Sequence, residues 1–288
     1  MKVAMIAVVI LAAFTSVSIW NYRRYFPKAK PLDKDKKKID VQKLSIDADG
    51  HELYGELLRP KDINGKLPTI ICSHGFNGSY RYFSGYVGKC LAMAGFAVYC
   101  FDFYGGSTHS KSGGSMTEMS VFTERDQLHD VIEFMKKQDF VDTDRLFLFG
   151  ESMGGFVTAM TAAWHTEDVK AIVLYYPAFS MLDDIRKHYP TLDEMPEIID
   201  VLGKKVGKVH YEKLYDFDAY AEASCYTGPV LIVHGDADRT VDVSYGRKAA
   251  DCYKNACFEV LPGQDHGFNA KGKQQAAKLV YTFLKQHL

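Results

Sequence analysis

Five short, unbroken apolar runs, with helical patterns between them, limit what this chain can fold into. They are Pro68–Ser73, Phe96–Phe101, Leu146–Phe149, Ala171–Tyr176 and Val230–Val233, and Phe258–Leu261 adds another segment of strand character. A strand that alternates apolar with polar residues keeps one face in water, whereas one that does not alternate is buried on both faces. Such strands need helices above and below them. The patterns at Tyr82–Ala94, Phe122–Gln138, Met153–His165, Val243–Tyr253 and Lys271–Gln286 supply those helices. The alternation predicts an α/β domain with a mostly parallel central sheet and helices on both faces. His51–Leu58 does alternate, and reads as an early antiparallel strand. Between Tyr176 and Pro229 the core strands lapse, and charged helical pieces and aromatic residues (Tyr189, Tyr211, Tyr215, Phe217, Tyr220 and Tyr226) take their place. An insertion of that length at the carboxyl edge of a sheet reads as a cap, here over Ala178–Ala223.

With 288 residues, 47% of them apolar and 25% charged, the chain has room for one substantial domain and appendages. Its net charge of −1 conceals a division, because residues 1–43 carry +7 and the remainder −8. An acidic domain argues against a nucleic-acid partner. Cys72 and Cys100 fall inside apolar runs, where reduced, buried thiols are expected. No cysteine or histidine pair has metal-ligand spacing, so neither a metal nor a cofactor is expected.

The amino-terminal part differs in kind. Val3–Trp20 is apolar except for Thr15, Ser16 and Ser18, and Arg23, Arg24, Lys28 and Lys30 follow it. A helix of that length just spans a bilayer, and Trp20 and Tyr22 suit an interface. Residues 1–22 are therefore expected to be a membrane anchor, with a cleaved signal segment as the alternative. The cationic flank favours a cytoplasmic catalytic domain under the first reading, and a secreted one follows from the second. Residues 23–43, rich in Lys and Asp, read as a basic linker, leaving 44–288 as the domain.

Leu146–Phe149 runs into Gly150-Glu151-Ser152-Met153-Gly154 and then a helix. A serine on a sharp strand-to-helix turn projects its oxygen above the sheet, and glycines two residues to either side avoid clashes there. The helix N-terminus and the Met153 N–H then point at a developing oxyanion. A serine hydroxyl also needs a base. Val230–Val233 leads into His234-Gly235-Asp236-Ala237-Asp238, and Leu261 leads into Pro262-Gly263-Gln264-Asp265-His266. Serine, acid and histidine each stand beyond a strand, in the chain order this fold uses. The candidates are Ser152 as nucleophile, His266 as base and Asp238 as acid, with Asp236 and Asp265 as rivals for the last role. A second oxyanion donor belongs to the loop after Pro68–Ser73, His74-Gly75-Phe76-Asn77-Gly78, where the Phe76 N–H is the candidate. His74 and His234 read as structural.

Together His74-Gly75-Phe76, Gly150-Glu151-Ser152-Met153-Gly154, Gly235-x-x-Asp238 and Asp265-His266-Gly267-Phe268 resemble the α/β-hydrolase superfamily over residues 44–288. Within it the chain resembles feruloyl/cinnamoyl esterases and monoacylglycerol-lipase-like serine hydrolases. The resemblance implies a serine hydrolase that cleaves carboxylic esters through an acyl-enzyme, with a small ester carrying an acyl or aromatic group as substrate. It assigns the acid to the last residue of G-x-x-D, Asp238, and the substrate pocket to the cap. Two positions depart from the pattern. Asp102-Phe103-Tyr104-Gly105-Gly106-Ser107 replaces Asp-x-x-Gly-x-Gly, and Glu151 stands where many such esterases carry His. A serine peptidase acting on short peptides would share the mechanism, and the cap acids Asp183, Asp184, Asp193, Glu194 and Glu197 could hold a peptide terminus. A non-catalytic binding module on the same fold would have no use for the triad.

Overall fold

The protein is described by a computed structural model that covers residues 27–32, 37–61 and 63–288. The expected anchor at residues 1–22 lies outside those residues; among the described residues no helix is long and apolar enough to cross a membrane. The first strands are β1 (Ile39–Lys43), β2 (Ile46–Ala48), β3 (His51–Leu53) and β4 (Gly55–Pro60). Next come β5 (Leu67–Ser73), β6 (Ala97–Phe101), β7 (Val141–Glu151) and β8 (Ala171–Tyr175). A hairpin of β9 (Ile198–Val201) and β10 (Lys204–Gly207) stands apart from the main sheet, which β11 (Val230–Gly235) and β12 (Ala256–Leu261) complete. The main sheet has eight strands in the order β1-β4-β6-β5-β7-β8-β11-β12. β1 and β4 join it antiparallel, and the strands from β6 to β12 run parallel.

The unbroken apolar runs are the parallel strands, and their alternation feeds two cores. Ile71, Leu148, Ile172 and Ile232 face one side of the sheet, while Ile70, Phe147, Val173 and Leu231 face the other. The first helices are α1 (Arg81–Ser84), α2 (Val87–Met93), α3 (Val121–Lys136) and α4 (Met153–Trp164). Val131 and Ile132 of α3 and Phe156 and Val157 of α4 fill the first core. Cys90 and Leu91 of α2 fill the second, joined by Ala276, Val280 and Leu284 of the last helix (Ala270–Lys285). Helices therefore cover both faces, as the alternation predicts. The chain leaves β5 over one face and β7 over the other, so a crevice opens beyond the carboxyl ends of these neighbouring strands.

The boundary expected at residue 44 is corrected by the structure. Ile39–Lys43 forms an edge strand in register with β4, Ile39 opposite Pro60 and Lys43 opposite Glu56. Ala29 and Leu32 pack on the second core, so the domain begins within the supposed linker. The strand is exposed and polar on most of its residues, as an edge strand tolerates, and Lys43 with the lysines that precede the strand reads as solvated chain.

The insertion between β8 and β11 contains α5 (Met181–Arg186), the β9–β10 hairpin, α6 (Val209–Glu212) and α7 (Ala219–Ser224). The remaining helix, α8 (Val243–Cys252), follows β11, which makes Ala270–Lys285 α9.

The turn from β7 into α4 is tightly packed. Ser152 takes φ 53°, a left-handed conformation that a serine rarely adopts. Its backbone is tied to the end of β8, with Ser152 N–H donating to Tyr175 O at 2.9 Å and Ala178 N–H donating to Ser152 O at 3.0 Å. A Cβ on Gly150 would overlap Gly154 O, and a Cβ on Gly154 would overlap the carbonyl oxygens of Ser73 and His74. These neighbours are backbone and cannot swing aside. Gly154→Ala is therefore expected to lower unfolding free energy by about 3 kcal/mol, the upper range for an overpacked core. Urea denaturation of the two proteins measures it; an unchanged midpoint would contradict the packing.

Candidate active site

The crevice brings Ser152, His266 and Asp238 into one line. Ser152 Oγ lies 2.9 Å from His266 Nε2, and His266 Nδ1 lies 2.8 Å from Asp238 Oδ2. The carboxylate can only accept, so Nδ1 carries the proton and Nε2 is left to accept the Ser152 O–H. Asp238 follows β11 in a turn that satisfies its other oxygen, with Thr240 N–H and Val241 N–H each donating to Oδ1 at 2.9 Å. Burial alone would raise this carboxyl. Hydrogen bonds from His234 and His266, the His266 charge and the Val241 N–H overcome it and hold Asp238 well below the usual carboxylate range. It is therefore ionised at neutral pH.

The rivals have other employment. Asp236 is exposed and accepts the Gly263 N–H at 2.6 Å. Asp265 pairs with Arg239, whose Nε donates to Oδ2 at 2.8 Å, and accepts the His266 N–H at 2.8 Å. The Arg239 hydrogen bonds hold the Asp265 carboxyl down at about 2. Neither rival carboxylate touches the imidazole; Asp265 pins the loop that carries it.

Two residues near the site acted beyond the reach of sequence reasoning. His234, read as structural, places Nε2 3.3 Å from Asp238 Oδ2 while bonding to Val241 O at 2.9 Å. Its spacing of four from Asp238 is visible in the sequence, but not that both point inward. Tyr176, at φ 33°, lays its fully buried ring 4.5 Å from the His266 ring. No local pattern marks it. Asp102 keeps a structural part despite its altered motif, with Oδ1 accepting Tyr80 N–H at 2.7 Å and Oδ2 accepting Lys111 N–H at 2.8 Å.

Phe76, Ser152 and Met153 line one cavity of about 260 Å³ together with Met181, Ile185 and Tyr211 of the cap. A larger hollow of about 500 Å³, by Arg59, Asn64 and Phe140, contains no part of the triad. Met153 opens α4, where the first N–H groups lack intrahelical partners. Phe76 N–H meets no acceptor among the described residues. Potential metal ligands gather elsewhere, at Glu133, His165 and Asp168. There Lys136 Nζ already supplies the cation, 3.0 Å from Glu133 and 2.9 Å from Asp168.

Asp238→Asn is expected to cut kcat by roughly 10⁴ by stabilising the wrong imidazole tautomer. Asp236→Asn and Asp265→Asn should stay within about tenfold of wild type, since neither is bonded to the ring. Parallel assays of the three variants decide the assignment; a crippled Asp236→Asn enzyme would move the acid to that residue.

Known proteins of similar sequence and fold place the chain among hydrolases. Ferulic-acid-bound Est1E from Butyrivibrio proteoclasticus superposes with a TM-score of 0.77 at 27% identity, over 85% of this chain and 98% of that one. A monoacylglycerol lipase of Mycolicibacterium smegmatis is 25% identical over 76% of this chain and 89% of its own. The Mus musculus monoacylglycerol lipase ABHD6 is 24% identical over 81% and 80%. The profile of the prolyl oligopeptidase family, one of serine hydrolases on the α/β-hydrolase fold, matches residues 82–288, well over half of the chain, and the protein belongs to that family.

Proposed function

We propose that the protein is a carboxylic-ester hydrolase working through an acyl-enzyme on Ser152. The observation that carries this reading is the hydrogen-bonded line from Ser152 through His266 to Asp238, opening into the cap-covered cavity. Ser152 Oγ attacks the ester carbonyl as His266 Nε2 takes its proton. Asp238 orients the imidazole and stabilises its charged form, and the N–H groups of Phe76 and Met153 receive the oxyanion. His266 then protonates the departing alcohol. In the second half it draws a proton from water as the water oxygen attacks the acyl carbon, then returns that proton to Ser152 Oγ as the acid is released. No redox or metal step is needed.

The cavity wall favours a small ester with an acyl or aromatic group, because Met181, Ile185, Val201, Leu202 and Tyr211 are apolar along most of their length. The names of the lipase relatives and the ferulic acid in Est1E point the same way. The description of the family favours a second reading, a serine peptidase. Of the cap acids, Asp184 lines the cavity and pairs with Lys187 at 2.7 Å, while Asp183 accepts the Tyr245 O–H.

Turnover of p-nitrophenyl acetate is expected, with Ser152→Ala slower on the order of 10⁶-fold. A variant keeping a tenth of the wild-type rate would remove Ser152 from the mechanism. Across a panel, acyl and aryl esters should be cleaved and aminoacyl anilides left intact; the reverse order would select the peptidase.

The anchor at residues 1–22 belongs to the same proposal, supported by the apolar run Val3–Trp20 and the cations after it. Full-length protein is expected to pellet with membranes and leave them only in detergent, its domain on the cytoplasmic side. Mature protein that begins near Ile19 or Asn21 would show a cleaved signal instead.

A further inference from the structure

Glu151 occupies an unexpected place for an acid. It directly precedes the nucleophile, is 8% exposed, and sits beside a centre where negative charge develops during the proposed reaction. A buried carboxylate there opposes the oxyanion unless other groups engage it. Gly75 N–H donates to Glu151 Oε1 at 2.7 Å. On the last helix, Lys273 is 7% exposed, and its ammonium, which burial pulls down to about 8, feels the Glu151 charge.

The bond to Gly75 has a geometric consequence. The Gly75–Phe76 peptide carries the Gly75 carbonyl and the Phe76 N–H, and in a trans peptide these point in opposite directions. Gly75 O accepts from His74 Nδ1 at 2.8 Å and from Gly78 N–H at 2.9 Å. His74 is held as the Nδ1–H tautomer, because its Nε2 accepts the Phe103 N–H at 3.2 Å. The carbonyl is thus drawn away on one side while Glu151 grips the preceding N–H on the other. The loop lies flat on the turn: a Cβ on Gly75 would come within 2.9 Å of both Glu151 Oε1 and Ser152 Cβ. Phe76 N–H, with no acceptor among the described residues, belongs to the same cavity as Ser152.

We propose that Glu151 is a positioning residue of the oxyanion hole: its carboxylate takes the Gly75 N–H and so keeps the next peptide turned with its Phe76 N–H toward the reacting carbonyl. The inference rests on reading Ser152 as nucleophile and Phe76 N–H as donor. Glu151 touches neither substrate nor the reacting atoms. It acts through the loop, and what matters is an acceptor at the right reach.

Three variants and one inhibitor test this, with fold checked by thermal melting. Glu151→Gln keeps an acceptor oxygen at the same reach without the charge, and is expected to hold kcat within about fivefold of wild type. Glu151→Asp keeps the charge but falls short of Gly75. It should lose kcat by about 10- to 100-fold with KM within about twofold, less than the 10²–10³ of a deleted donor. Glu151→Ala should match it, and if that variant does not fold the Gln and Asp pair suffices. A trifluoromethyl ketone forms a tetrahedral adduct on the serine, so its Ki should rise by the same factor as kcat/KM falls. A wild-type kcat in Glu151→Asp, or a loss in Glu151→Gln equal to that in Glu151→Asp, would overturn the proposal. So would an unchanged ketone Ki beside a reduced kcat. Ser152→Ala assayed alongside keeps the questions separate: its failure to lose activity removes the esterase mechanism itself, whereas a dead Ser152→Ala with an indifferent Glu151→Asp removes only this inference.

Discussion

A left-handed serine between two glycines that admit no Cβ is the constraint on which the site depends. Ser152 at φ 53° stores strain of about 1–3 kcal/mol, which persists only where the surroundings over-determine it. Here they do. The bonds to Tyr175 O and from Ala178 N–H fix its peptide groups against β8, and the carbonyls of Ser73 and His74 lie directly against Gly154. The same contact that leaves no room for a side chain seats the loop after β5 on top of the turn. Ser152, the N-terminus of α4 and the loop after β5 are therefore one packed unit.

Around that unit the charges are arranged so that only one imidazole nitrogen is free. Asp238 receives two backbone N–H groups on one oxygen and His266 on the other, with His234 beside it. A carboxylate so fully bonded is neither protonated nor mobile, and it dictates which nitrogen of His266 faces Ser152. The histidine loop is pinned from outside as well, by the Asp265–Arg239 pair and the Asp265 bond to the His266 N–H. Tyr176 closes the back of the ring. Chemistry of this kind needs orientation more than it needs extreme pKa values.

The sheet and the cap divide the work. Groups that would act on a carbonyl stand at the ends of β5, β7, β11 and β12, where a rigid two-faced core supports them. Groups that would choose the substrate come from the insertion after β8, with α5, the β9–β10 hairpin and α6 contributing to the lining of the cavity. The insertion adds no strand to the main sheet, so its shape can vary without disturbing the triad.

The parallel strands and their helices were legible because burial on both faces writes an unbroken apolar run, and that signal is local. Ser152, Asp238 and His266 were legible because each follows such a run in an order the fold imposes. The edge strand Ile39–Lys43 was not, since exposed pairing demands little of composition and the lysine-rich stretch just before it resembles linker. Nor were the parts of His234, Tyr176 and Glu151, whose neighbours are 4, 90 and 76 residues away in the chain, at Asp238, His266 and Gly75. The sequence by itself determined the core strands and helices, their order, and the candidate serine, histidine and three acids, because these follow from periodicity and turn chemistry over a few residues. Only the tertiary structure decided which carboxylate meets the imidazole, which way the Gly75–Phe76 peptide faces and how large a cavity the cap encloses. Those depend on hydrogen bonds and packing between segments far apart in the chain, which no local pattern records.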